Sequence, residues 1–179
     1  MRSSVPLGRR CGAGLLALAV AASGCGYRVA GRGSALPRHW KTLAVLALEN
    51  HTTHYRLEQR LREALVRELL ARTRYRVVAS AEGADAVLSG EVRSIETSAV
   101  LFDAATGRAT TMVVTVVTRV RLVDAATQQE IYRNDNFVLR EQYEITTDVS
   151  SFFEEQDPAL ERLAQDFASR LVAALLEKF

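Results

Sequence analysis

Thr110 to Asp124, TTMVVTVVTRVRLVD, constrains the fold more than any other stretch. It holds no glycine or proline and is dominated by β-branched residues, which suit a pleated strand better than a helix. Alternate side chains of a strand point to opposite faces. Met112, Val114, Val116, Val120 and Leu122 therefore share one face, and Val113, Thr115, Val117, Arg119 and Arg121 share the other. The first face is mainly apolar, with Thr118 among its aliphatic residues, whereas the second turns basic toward its end. Such a strand needs long neighbours. One precedes it, where Ala86, Leu88, Gly90 and Val92 alternate with Val87, Ser89, Glu91 and Arg93 up to Phe102. Another follows from Glu130 to Arg140, with Ile131, Phe137 and Leu139 on one parity. DAATGR (Asp103 to Arg108) and AATQQ (Ala125 to Gln129) are turn-like, so short connections make the three strands an antiparallel meander.

The remaining elements supply a layer to cover that sheet. TLAVLAL, Thr42 to Leu48, is a short apolar strand, and a second runs from Tyr75 to Val78. Between them Leu57, Leu61, Ala64, Leu65 and Leu69 recur at helical spacing within Tyr55 to Arg72, with Thr52 or Thr53 placed to cap. Near the C-terminus Leu160, Leu163, Ala164, Phe167, Ala168, Leu171, Ala174 and Leu175 line one helix face, and Asp157-Pro158 reads as its cap and first turn. Residues 141–157, with six acids and no base, read as a solvated connection, helical in part, with Phe152 and Phe153 as an aromatic anchor. The expected order is β-α-β-β-β-β-α. It gives an α/β two-layer sandwich: a mainly antiparallel or mixed sheet with two amphipathic helices on one face. One such domain occupies 41–179.

The chain before it reads differently. Arg2, Arg9 and Arg10 precede an uncharged apolar run, Gly12 to Ala22, too short to span a bilayer but suited to a signal peptide. The run ends in Ala22-Ser23-Gly24-Cys25, which resembles the bacterial lipobox, with Ala22 where that box usually has Leu. Residues 1–24 are then a lipoprotein signal, and 25–40 a lipidated N-terminus and tether. Cys25 would carry an S-diacylglycerol and an N-acyl chain, enough to hold the chain to outer-membrane lipid. Gly26, in place of an Asp retention signal, points to the outer membrane. Cleavage also removes Cys11, leaving no pair for a disulfide. Of 23 basic residues, 20 remain against 21 acidic ones, so charge gives no argument for nucleic acid.

No nucleophile elbow, metalloprotease motif, phosphate loop or paired CxxC is present, and no enzyme is expected. Neither is a metal site. His51 and His54 have ligand-like spacing and Glu49 is near, but they straddle a turn and a helix start. Arginine is the informative residue, because its guanidinium makes bidentate contacts to phosphate and carboxylate. One cluster is Arg56, Arg60, Arg67, Arg72, Arg74 and Arg76. A second is Arg119 and Arg121, with Arg93 and Arg133 beside them. Such arginines suit either an ordinary solvated face or a site for a phosphorylated glycolipid or an acidic partner, and the second cluster is the candidate for the latter. The valines sharing its face, Val87, Val113, Val117 and Val123, suit contact with another protein.

GCGYRV at Cys25, LENHTTHYRLEQRLREAL from Leu48 to Leu65, ADAVLSGEV from Ala84 to Val92, RVRLVDAATQQEIYRNDNF from Arg119 to Phe137 and LERLAQDFASRLVAALL from Leu160 to Leu176 together resemble the LPS-assembly lipoprotein family, LptE. The resemblance lies in order and spacing. It departs at Asn50-His51-Thr52, where no Pro follows, and at Thr127-Gln128, where the family favours Thr-Gly. It implies a non-enzymatic plug inside a large outer-membrane β-barrel, LptD in that family, on the periplasmic side. Such a plug helps the barrel fold and insert lipopolysaccharide, and touches lipopolysaccharide through basic residues. The alternative is a lipid-anchored structural subunit of another bacterial envelope complex.

Overall fold

The computed structural model describes residues 36–145 and 149–177. The signal segment and Cys25 lie outside them. Among the described residues six strands and two helices follow one another: β1 Thr42–Val45, β2 Glu49–Asn50, α1 Leu57–Arg72, β3 Arg76–Val78, β4 Ala86–Phe102, β5 Ala109–Asp124, β6 Glu130–Glu144 and α2 Val149–Glu177. The sheet order is β3-β1-β4-β5-β6, with β2 paired to β4 off that path. β1 runs parallel to both β3 and β4, while β4, β5 and β6 form the antiparallel meander. This is the expected two-layer α/β sandwich.

The predicted helix stripes form its core. Leu57, Leu61, Ala64, Leu65 and Leu69 of α1 are all buried. They join Leu160, Leu163, Ala164, Phe167, Ala168, Leu171 and Leu175 of α2 against Leu88, Val92, Val114, Val116, Val120, Leu122 and Leu139 of the sheet. Ala159 and Val172 of α2 are buried too, and Ala174 only partly. The edge-on contact of Phe137 with Phe167, centroids 5.7 Å apart, ties β6 to α2. Packing begins ahead of β1, since Leu36 and Trp40 are 1% and 4% exposed.

Several expectations change. β6 runs on to Glu144, and α2 begins at Val149, so much of the presumed acidic connection is regular structure. Pro158 lies inside α2 rather than in its first turn. The Asp157 carboxylate does not cap there; it accepts from Arg60 of α1 at 2.8 Å. Neither Thr52 nor Thr53 caps α1, whose N-cap is Arg56, in the left-handed region at φ 61° with no side-chain cap. Asn50 organises that loop instead. Its Nδ2 donates to the His54 carbonyl (2.9 Å) and to Glu58 Oε2 (2.7 Å), and its Oδ1 accepts the Thr52 amide (2.9 Å). In β6 an irregularity of register between the levels of Thr118 and Val120 switches parity, so Tyr132, not Ile131, lies opposite Leu122.

Candidate functional site

On the sheet face opposite the helices, Arg119 stands opposite Glu91, and Arg121 opposite Ser89 on one side and Arg133 on the other. Like charges directly opposite destabilise a sheet. The Arg121–Arg133 conflict is relieved by Glu130, whose Oε2 lies 2.8 Å from Arg121 Nε and 3.8 Å from Arg133 Nη1. The same β6 irregularity that moves Tyr132 inward brings Asp135 within reach of two arginines. Arg133 Nε donates to both of its oxygens, at 2.9 and 2.8 Å. Arg119 Nε lies 3.1 Å from Asp135 Oδ1, an ion pair without hydrogen-bond geometry. Arg119 Nη1 also reaches Glu91 Oε1 at 3.2 Å, and Arg93 Nε approaches the same oxygen at 3.6 Å. Arg93 Nη1 donates to the Asp135 carbonyl at 3.3 Å.

The four predicted arginines are thus brought together, but each faces a carboxylate that strand periodicity alone does not place beside it. The result is a continuous ladder, Arg121–Glu130–Arg133–Asp135–Arg119–Glu91–Arg93. Hydrogen bonding from Arg133, then the charges of Arg133, Arg119 and Arg93, hold the Asp135 carboxyl below its ordinary range. The reciprocal effect raises Arg133. The arginine side chains remain 40–51% exposed, so each pair contributes little to stability alone. Gly90 permits this approach of the strands. A Cβ there would lie 2.5 Å from the Arg119 carbonyl oxygen, so any side chain would push the ladder apart.

The ladder ends at His51. Its Nε2 is 3.4 Å from Glu49 Oε2 and 3.6 Å from Glu91 Oε2, because β2 pairs Glu49 with Glu91 in parallel register. His54, the other ligand considered from the sequence, is not part of this group. Glu91 is already committed to Arg119 and Arg93 through its other oxygen. We therefore read these residues as the last rung of the ladder.

The first arginine cluster has a structural use. Arg60 pairs with Asp157 (2.8 Å) and Arg67 with Glu161 (3.0 Å), clipping α1 to α2, while Arg72 pairs with Glu68 within α1 (3.3 Å). Arg76 donates to Thr42 Oγ1 at 3.4 Å, and Arg56 lies 4.8 Å from the Tyr55 ring centre. The open face also carries Val87, Val113, Val117 and Val123, all half-buried. At its far end Val100, Leu101 and Phe102 are 44%, 60% and 61% exposed. No helix among the described residues is long and apolar enough to cross a membrane.

This architecture, a mixed sheet with two helices on one side, recurs in solved structures. The solution structure of uncharacterized lipoprotein B from Nitrosomonas europaea matches with a TM-score of 0.57 at 16% identity, over 84% of this chain and 90% of that one. A PelC dodecamer from Paraburkholderia phytofirmans matches with a TM-score of 0.50 at 17% identity, over 80% and 94%. At such identities the likeness is one of fold. No curated protein sequence matches the chain. The family model for lipopolysaccharide assembly, LptE, matches residues 40–175, and the chain belongs to that family.

Proposed function

We propose that this chain is an outer-membrane lipoprotein that plugs and helps assemble a β-barrel translocon, through which lipopolysaccharide reaches the outer leaflet. The observation that carries the reading is the family match across the whole sheet and both helices, residues 40–175. The open sheet face supports it. Threonines, valines and a charge ladder suit contact with the polar interior of a large barrel better than contact with lipid tails. The role is structural, not enzymatic. Cys25, acylated and S-diacylglycerol-modified, is the mature N-terminus and anchors the chain on the periplasmic face of the outer membrane. Arg119 and Arg121, with Arg93 and Arg133, are the proposed contacts for lipopolysaccharide phosphates.

Affinity purification of the detergent-extracted full chain from native outer membranes, with mass identification of what accompanies it, tests the central claim. A stoichiometric barrel protein is expected. Recovery without any barrel rejects the plug, and recovery with a different assembly points to a subunit of another envelope complex. Cys25→Ser should release the chain from the membrane fraction. The Arg119→Ala/Arg121→Ala double variant should keep its fold and lose lipopolysaccharide capture; undiminished capture rejects that contact.

A further inference from the structure

The two outer strands of the sheet end it in different ways. β6 carries Arg133, Asp135, Arg140 and Glu141, and charges on an edge strand discourage a further strand. β3, at the other edge, has β1 as its only neighbour among the described residues, and runs through Val77, Val78 and Ala79 without a charge. The Arg76 amide donates to the Lys41 carbonyl at 2.9 Å, so the backbone of Arg76 faces β1. Successive residues of a strand direct their backbone groups to opposite sides. The N–H and C=O of Val77 therefore face outward, a donor and an acceptor on an open edge. Beside them lies a groove of about 450 Å³ between β3 and α1, lined by Val66, Val77, Val78 and Ala79. Leu70, one helical turn beyond Val66, is 56% exposed and continues the apolar strip. An open backbone pair next to an apolar groove suits the addition of an extended peptide. Main-chain hydrogen bonds hold such a peptide, and the groove takes one of its alternate side chains.

Charge selects the occupant. Arg74 and Arg76 lead into Val77, and Arg62 and Arg67 flank the groove against a single acid, Glu63. A second copy of the chain would set these arginines against their own equivalents. Residues 26–35 of this chain carry Arg28 and Arg32 and no acid, so they have the same sign as the groove. We propose that the β3 edge and its groove dock a short extended segment of a partner protein. That segment places one aliphatic side chain in the groove and acidic residues on either side of it. β3 has only three residues, so the added strand is equally short. The inference goes beyond the plug reading and does not depend on it.

The test uses the detergent-solubilised full chain and two synthetic peptides of about eight residues, the length of an ordinary strand. Both have a Val-Thr-Val centre; one is flanked by Asp and Glu, the other by Lys. Amide hydrogen exchange, read by NMR, should find Val77 fast in the free chain and Arg76 and Val78 protected by β1. The acidic peptide should slow Val77 selectively. Fluorescence anisotropy should show the Lys-flanked peptide binding about tenfold more weakly, the size expected for several exposed charge pairs. Arg74→Glu/Arg76→Glu should reverse that preference. Val77→Pro, which removes a donor that β1 does not use, should abolish binding of both peptides. Thermal melting confirms that each variant is folded, and the charge reversal decides alone if the proline variant is not. An unchanged Val77 amide, or equal affinity for the two peptides, overturns the inference. So does a concentration-dependent dimer that protects Val77 without peptide, which gives the edge to a second copy. Protection of Val77 that disappears when residues 26–35 are deleted gives the edge to the chain itself, and overturns it as well.

Discussion

β5 is entered and left through two turns that begin with the same four residues, yet the two have different neighbours. Asp103-Ala104-Ala105-Thr106 precedes it and Asp124-Ala125-Ala126-Thr127 follows it. In both, the aspartate Oδ1 accepts amides two and three residues on: Ala105 and Thr106 at 3.2 and 2.8 Å, Ala126 and Thr127 at 3.0 and 2.8 Å. In both, the aspartate amide and carbonyl close the loop, to Arg108 and Gly107 in one and to Gln129 and Gln128 in the other. The fifth residue lies in the left-handed region each time, Gly107 at φ 67° and Gln128 at φ 59°. The differences lie around this shared frame. The first turn ends a hairpin whose Leu101 and Phe102 are exposed. At the second, Asp124 is 7% exposed and its Oδ2 accepts from buried Trp40 Nε1 at 3.0 Å. Local sequence makes the turn, and two long-range hydrogen bonds, from Trp40 Nε1 to Asp124 Oδ2 and from the Ala125 amide to the Asp85 carbonyl at 2.9 Å, tie the second turn to the rest of the domain.

The largest effect should come from removing the aspartates. Asp124→Ala leaves a buried indole N–H without its partner, so its urea midpoint should fall several times further than that of Asp103→Ala. Equal losses would show that the Trp40 bond adds nothing. Acid should act on both turns next, because hydrogen bonds from Thr106 hold the Asp103 carboxyl below its ordinary value as well, but Trp40 contacts only the Asp124 carboxylate and reports on that one. Hydrogen bonding from the Thr127 amide, and further from Trp40, lowers the Asp124 carboxyl below its ordinary value of 3.8. Its stabilisation is therefore present above that value and lost as pH falls through the lowered one. Trp40 is the only tryptophan, so its fluorescence should follow the loss, and Asp124→Asn should remove that part of the acid transition. Third, Gly107→Gln should cost about 1 kcal/mol for placing a side chain in the left-handed region. The reverse change, Gln128→Gly, should return less, because it gives up the 2.8 Å bond from Gln128 Nε2 to the Ala125 carbonyl and loosens the unfolded chain. Chemical denaturation of both variants checks the asymmetry. Smallest of all, Phe102→Ser should change stability by no more than about 0.5 kcal/mol, since the ring is exposed.

What the sequence made legible followed its periodicities. The α1 stripe was read residue for residue, because five apolar side chains at helical spacing have one economical burial. The limits of α2 were not, because Pro158 imitates a helix start and the acids before it imitate a loop. The arginine face was legible as a set of bases on one strand parity. Its acids were not, because pairing Glu91 with Arg119 needs the β4–β5 register, and bringing Asp135 to Arg119 needs the irregularity in β6. Strand periodicity indicates which face a residue takes, but not what stands opposite. The paired turns could have been found directly, by noticing DAAT twice.

The place of β1 in the sheet has a consequence for how the chain assembles. β4, β5 and β6 pair with their neighbours in sequence across short turns, so their contacts form at small entropic cost. β1 lies between β3 and β4, and its pairing of Leu43 with Ala86 must close a loop that contains α1 and β3. A chain delivered N-terminus first therefore presents its opening strand before the long strand β4 that flanks it exists. The meander is the surface on which the earlier half is completed, and a polypeptide ending after β3 would hold only the short parallel pair of β1 and β3.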